Sequence, residues 1–240
     1  LGLEHDRRFL VVDAQASGSS HSFLTQRQLP KLCLVRCSLP TDDRGVTDTR
    51  YVTLDAPAMP RLTVRIAPVS PARAQLLSVR VWSDSGLSAL DLGDEAAHWL
   101  SRYLDYPCRL VSAMHKGFHR AVETKYLPLH ARMLSIMHTP RVGCADGYQL
   151  LVASTASLAE VNRRQATANP SAPPLRMDRF RPNIVVSGCL PFEEDTWKRI
   201  RIGSSTFRVV KGCSRCKVTT TDQVTGVAGA TLGPDGVTPE

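Results

Sequence analysis

Short apolar runs rich in β-branched and aromatic residues, each closed by Gly, Pro or Ser, recur along the chain and constrain its fold more than any other feature. Phe9-Leu10-Val11-Val12-Asp13 gives way to an Ala16-Ser17-Gly18-Ser19-Ser20 turn, and Lys31 to Ser38 is a second run introduced by Pro30. Tyr51 to Ile66 contains the alternation Leu62-Thr63-Val64-Arg65-Ile66, which Ser78-Val79-Arg80-Val81-Trp82 repeats. A period of two sends successive side chains to opposite faces of a strand, so these runs predict a small, mostly antiparallel β-region. Phe23 to Gln28 is too polar for a core helix. Farther along, Leu150-Leu151-Val152-Ala153 reads as a buried strand, Ile184-Val185-Val186-Ser187 as a strand apolar on both faces, and Ile200 to Val210 as two strands about a Gly203-Ser204 turn.

Helical periodicity is confined to two places. In Asp94 to Leu104 the apolar residues 96, 97, 100, 103 and 104 fall on one face behind an acidic first turn, which predicts an amphipathic helix. His98 and Trp99 on it read as surface and packing residues, because no second ligand stands at i+3 or i+4. Ser157-Leu158-Ala159-Glu160 fits a capping box that opens a short helix through Arg164, and residues 165–174 follow as a polar, Pro-rich loop. The expected class is therefore mostly β with a few helices, α+β, without internal repeats. Gly226 to Glu240 is Gly/Pro-rich and carries no packing element.

Composition removes several functions. No apolar stretch is long enough for a membrane span, and the N-terminal residues lack the apolar core of a signal peptide, so any targeting segment or anchor is expected outside this chain. Thirty Lys and Arg against 22 Asp and Glu give a net charge of +8, which favours anionic partners. The charge is dispersed, aromatics are only 6%, and no zinc-finger or RNA-recognition spacing is present, so nucleic acid is not the expected partner. Seven cysteines, an odd number without a secretory signal, point to a reduced compartment and to buried roles for Cys33 and Cys37 as small hydrophobes.

The densest chemical signal is Lys211-Gly212-Cys213-Ser214-Arg215-Cys216-Lys217. Its cations favour a thiolate, suiting a nucleophile or a soft-metal ligand. Structural zinc, a redox dithiol and ligation by one thiolate are the three readings of such a pair. Zinc lacks a second Cys pair, and the β-favouring residues from Val218 to Asp222 do not supply the helix of a thioredoxin-like dithiol. Arg179-Phe180-Arg181-Pro182-Asn183 presents arginine forks suited to phosphate, Pro182 fixing the backbone between Arg181 and Asn183. His115, His119, His130 and His138 in the basic stretch 114–140 have no acidic or thiol neighbours at ligand spacing and read as a surface loop.

Taken in order, Asp6-Arg7-Arg8-Phe9-Leu10-Val11-Val12, Thr25-Gln26-Arg27-Gln28-Leu29-Pro30-Lys31-Leu32, Arg179 to Gly188, Phe192 to Trp197, Ile202-Gly203, Cys213 to Cys216 and Thr220 to Gly226 resemble the MOSC family over nearly the whole chain. The pattern is most like its amidoxime-reducing members and the C-terminal part of molybdenum cofactor sulfurases. The resemblance implies a MOSC-type β-barrel domain over residues 111–240, preceded by a smaller β-rich N-terminal domain over residues 1–110. It also implies a molybdenum–molybdopterin cofactor whose metal is held by Cys216. Arg7, Arg181, Asn183, Ser214 and Arg215 fall on the pterin and phosphate site, and Asp146 falls on the acidic position near the metal.

The implied activity is reduction of N-hydroxylated substrates, with electrons from a b-type cytochrome and its NADH-dependent flavin reductase. The alternative is a cofactor carrier or sulfur-handling module. A sulfurase would need a pyridoxal-phosphate domain, for which 240 residues leave no room. The implied location is intracellular, at the mitochondrial outer membrane or in the cytoplasm. Gln149 departs from the family, where many members carry Pro, and the family's opening and closing strands are expected outside the stretch matched here. Residues 114–140 and Asp146-Gly147-Tyr148-Gln149 are expected to border an open mouth.

Overall fold

Residues 3, 5–66, 74–114, 118–123, 127 and 141–229 are described in a computed structural model of the chain. The N-terminal half contains β1 (Phe9–Ser17), β2 (Ser20–Phe23), β3 (Arg36–Ser38), β4 (Tyr51–Asp55), β5 (Leu62–Arg65), β6 (Leu76–Val81), β7 (Asp84–Asp91), α1 (Asp94–Leu104) and β8 (Cys108–Ser112). Strands β1, β2, β6, β7 and β8 close into a barrel. All pairs are antiparallel except β2 with β6, where His21 lies opposite Val79, and β1 closes on β8 with Phe9 opposite Ser112. Alternation sends Val79, Val81, Leu87 and Ala89 inward with Val12 and Val111, forming one buried cluster.

A second core lies against the barrel. The sheet β3–β4–β5 contributes Val52, Leu54, Leu62 and Val64, and α1 lays Ala96, Trp99, Leu100 and Leu104 over them. Cys108 and Leu110 of β8 belong to this cluster while Val111 belongs to the barrel, so one strand is buried on both faces and serves both cores. The helix starts at Gly93, at φ +95°, and ends at Asp105, at φ +52°. Trp99 is a packing residue whose Nε1 donates to the Pro60 carbonyl at 2.6 Å, and His98 is exposed.

The C-terminal half contributes β9 (Arg120–Ala121), β10 (Arg141–Val142), β11 (Val152–Ser154), α2 (Thr155–Ala168), β12 (Ile184–Val186), β13 (Arg199–Ile202) and β14 (Ser205–Arg208). β9 pairs with β10, β13 with β14, and β11 runs parallel to β12 with α2 in the connection, a βαβ unit. The molecule is thus α+β, mostly strands with two α-helices among the described residues, none of them long and apolar enough to cross a membrane.

Buried arginines fasten the connecting segments. Arg120, with a side chain 1% exposed, donates to Asp84 Oδ2 at 2.8 Å and to the carbonyls of Gly143 and Ala145 at 3.2 and 3.0 Å. Arg179 reaches Asp222 Oδ2 at 2.6 Å, and the other oxygen of Asp222 accepts from the N–H groups of Val224 and Thr225. The turn so formed sits on residues 30–34. At Gly226, with φ +69°, a Cβ would lie 3.0 Å from Leu34 Cδ1, so this position needs glycine for conformation and for space.

Several local readings are corrected. Lys31 to Ser38 is not one strand: Pro30–Leu34 is a 3₁₀ helix and only Arg36–Ser38 is extended. Pro30 has no N–H for a ladder and suits the first helical position, while Leu29, Leu32 and Val35, spaced by three, meet the second core together. The cap of α2 is Ser154, whose oxygen accepts from Ala156 and Ser157 N–H, because Ser157 is engaged by Phe192 and Glu194. The helix runs past Arg164 to Ala168, and Asn162 then holds Leu175 through both its amide atoms. Cys33 is half-buried and Cys37 exposed, and Val185 is 48% exposed, so neither the cysteine pair nor β12 is fully interior. Finally, Lys217–Thr220 is a 3₁₀ helix although Val218 to Asp222 are β-favouring residues. The strand β7, for its part, was not foreseen, since Asp84-Ser85-Gly86 conceals its alternation.

The Asp222 carboxyl is held below the usual aspartate range, first by the N–H groups of Thr225 and Val224 and then by Arg179. A depressed folded value contributes stability above the unfolded value of about 3.9, lost as pH falls through the folded value. Asp222→Asn should therefore lower the melting temperature at pH 7, and the gap from wild type should narrow as pH falls below about 5 toward the depressed folded value. A gap independent of pH in thermal scans would contradict the ionic role.

Candidate functional site

Arg7 lies just before β1 at φ +48°, a left-handed bend, and its guanidinium reaches the C-terminal half. One terminal nitrogen donates to Asp6 Oδ2 at 2.6 Å and to Asn183 Oδ1 at 2.8 Å, the other to the Arg181 carbonyl at 3.0 Å. Asn183 Nδ2 returns a bond to Asp6 Oδ2 at 2.8 Å, and its Oδ1 also accepts from Leu151 N–H at 3.0 Å. Three of Arg7's five N–H directions are thereby used, and two remain among the described residues.

Arg181 ends the 3₁₀ helix Met177–Phe180 at φ +53°. Loss of hydration holds its guanidinium below the usual arginine range, the like charge of Arg7 adds to this, and Asp146, Asp6 and Cys216 act the other way. Arg181 is exposed, and two guanidinium groups that share one electrostatic neighbourhood favour an anion between or beside them.

Cys216 caps the 3₁₀ helix Lys217–Thr220 and is exposed, as is Cys213. Arg27 Nη2 donates to Cys216 Sγ at 3.1 Å, and the same guanidinium lies 4.8 Å from the centre of the Trp82 ring. Trp82 Nε1 donates to Asp146 Oδ1 at 3.1 Å. Arg215 stacks 5.2 Å from the ring centre of Phe180, the neighbour of Arg181. Arg7, Asp146, Asn183, Ser214, Arg215 and Cys216 line one open cleft of about 2320 Å³, with Arg27 and Trp82 also on its wall.

The residues singled out in the sequence therefore meet around one space, with Arg181 in the same electrostatic neighbourhood. Asp146 to Gln149 line it as well, whereas 115–117, 124–126 and 128–140 of the basic stretch lie outside the described residues. Among the described residues no group of three or more His, Cys, Asp or Glu could hold a metal, and His119 is exposed. Arg27 and Trp82 were missed. Arg27 stood within a recognised block, so its position carried a signal, while Trp82 carried none beyond ending an alternating run.

The cleft wall offers two exposed thiols, Cys213 and Cys216, beside guanidinium and amide groups, a set suited to a soft metal and an anionic organic ligand. The sequence profile of the MOSC N-terminal beta barrel domain matches residues 1–107, and that of the MOSC domain matches residues 139–233. The chain is 32% identical over 227 residues to mitochondrial amidoxime reducing component 2 of Rattus norvegicus, covering 94% of this chain and 59% of that protein. It is 33% identical over 226 residues to mitochondrial amidoxime-reducing component 1 of Mus musculus, covering 93% and 57%. Molybdenum cofactor sulfurase of Homo sapiens is 29% identical over 235 residues, covering 94% of this chain and 24% of the sulfurase. The chain thus spans about three-fifths of the length of the amidoxime-reducing relatives and a quarter of the sulfurase. With the two profiles in order along nearly its whole length, the chain belongs to the MOSC family and carries both the N-terminal β-barrel and the MOSC domain.

Proposed function

We propose that this chain binds a molybdenum–molybdopterin cofactor, with Cys216 holding the metal, and reduces N-hydroxylated compounds. Kinship with amidoxime-reducing components and molybdenum cofactor sulfurases supports a molybdenum-cofactor-related function in the first place. The observation that carries the finer reading is the convergence of the exposed Cys216 thiol, paired with Arg27, and the Arg7–Asn183 pair on a single large cleft, with Arg181 tied to Arg7 through its carbonyl. When bound, the cofactor supplies two-electron chemistry at molybdenum.

The protein's own contributions follow from its geometry. Arg7 is held by Asp6, Asn183 and the Arg181 carbonyl, so its two remaining N–H groups have fixed directions toward a phosphate. Arg181, exposed and set against the like charge of Arg7, gains from the same anion. Ser214 and Arg215 line the wall beside the Cys216 thiol. Asp146 lies exposed at the cleft, where its carboxylate can hold or pass a proton to the substrate nitrogen. The balanced reaction takes two electrons and two protons, breaks the N–O bond and releases water. The electrons come from a b-type cytochrome supplied by an NADH-dependent flavin reductase.

The sulfurase match favours a second reading. This chain aligns with part of a sulfurase as completely as with the reductases, which suits a module that carries the cofactor or handles its sulfur. A carrier would hold molybdenum without turnover.

A charge-assisted fork contributes about 1.5–3 kcal/mol, so Arg181→Ala should release cofactor ten- to a hundredfold more readily. Arg181→Lys should restore retention only in part, a point charge replacing a planar fork. Equal molybdenum-to-protein ratios in all three proteins would reduce Arg181 to a turn residue.

The deciding assay is benzamidoxime reduction by molybdenum-loaded protein with the reconstituted cytochrome and flavin reductase. Wild type and Cys213→Ser should turn over, Cys216→Ser should lose both metal and activity, and Asp146→Asn should slow turnover with metal retained. A loaded wild type without turnover would leave the carrier, and Cys216→Ser with unchanged molybdenum would refute the assignment of the thiol.

A further inference from the structure

The hairpin between β6 and β7 is turned by a residue that the turn does not favour. Val81 pairs with Asp84, so Trp82 and Ser83 form a two-residue loop, and Trp82 has φ +55°. Such loops select Gly, Asn or Asp because an ordinary Cβ crowds the backbone at positive φ. Trp82 is also 39% exposed, so burial alone does not account for a large ring there. Its contacts do. Phe23 meets the ring edge-on at a centroid distance of 4.8 Å, Arg27 stacks on it at 4.8 Å, and the indole N–H is taken by Asp146. Strain of this kind persists where surrounding contacts over-determine it.

Arg27 is an exposed, long side chain with no carboxylate partner among the described residues, and its guanidinium makes one hydrogen bond, to Cys216 Sγ. A planar guanidinium laid on an indole loses much of its rotational freedom before it donates, which an ammonium would not. We propose that Trp82 is a positioning residue, kept at the strained turn to hold Arg27 against the Cys216 sulfur and to fix Asp146 across from it. This deepens the reading of Cys216 as the metal-holding thiol, and rests on it. It also crosses the fold: Trp82 and Arg27 come from the N-terminal half, Asp146 and Cys216 from the C-terminal half.

The test uses the full chain loaded with molybdenum cofactor, comparing wild type, Trp82→Asn, Trp82→Phe, Arg27→Lys and Cys216→Ser. The readouts are molybdenum per protein after gel filtration, the electron paramagnetic resonance signal of the half-reduced metal, and the melting temperature. Trp82→Asn suits the turn and removes the ring. It should keep a melting temperature near wild type while retaining at least threefold less molybdenum or changing the resonance signal. Trp82→Phe keeps a stacking face without the N–H and should fall between, as should Arg27→Lys. If Cys216→Ser loses metal but both Trp82 variants match wild type in metal and signal, the positioning role is overturned and the thiol assignment stands. If Cys216→Ser retains the metal, or wild type holds none, the thiol assignment fails and takes this inference with it.

Discussion

The Asn183 side chain is the joint on which the cleft depends. Its carbonyl oxygen receives Arg7 from 176 residues away together with the Leu151 N–H, and its amide nitrogen closes on Asp6. Both ends of a small amide are committed, and with them the bend before β1, the start of β11 and the carbonyl of Arg181. Networks of this type are worth more than their separate bonds, because removing one member strands the others where water reaches them poorly. An aspartate of the same shape would lose the donor to Asp6 and set two carboxylates together, so shape alone does not suit this position.

What could be read from the residues depended on range. Period-two alternation made β5, β6 and the β13–β14 hairpin legible, and the acidic first turn with its apolar face made α1 legible, since those signals are local. Lys31 to Ser38 misled because Leu and Val spaced by three fit an extended run as well as a helical face, and only the second core chooses between them. Ser154 and Ser157 are equally good caps in isolation; Phe192 and Glu194, arriving from far along the chain, take Ser157 out of that role. Arg7, Arg181, Asn183 and Cys216 were singled out through ordered blocks, and all but Arg181 line the cleft. The contact between Arg27 and Cys216 joins residues 189 positions apart, and no spacing rule anticipates it.

Two groups of arginines stand out from the basic excess, with different work. Arg109, Arg120 and Arg179 are pinned by Asp91, Asp84 and Asp222 and act as internal ties, each satisfying acceptors that packing would otherwise leave bare. Arg7, Arg27, Arg181 and Arg215 gather instead about one opening, where Asp6 and Asp146 only partly offset them. Net charge alone named an anionic partner, and the clustering says where on the surface that preference is concentrated.

Because β8 is packed on both faces, the barrel and the α1-covered sheet share a wall. Neither core can loosen while the other stays intact without exposing Leu110 or Val111 to water. Slow amide exchange in Val111 and its neighbours should consequently report a single opening event for both clusters, with the α1 amides and the β1 amides exchanging through the same route. The N-terminal half, for all its two sheets, should then open as one cooperative unit.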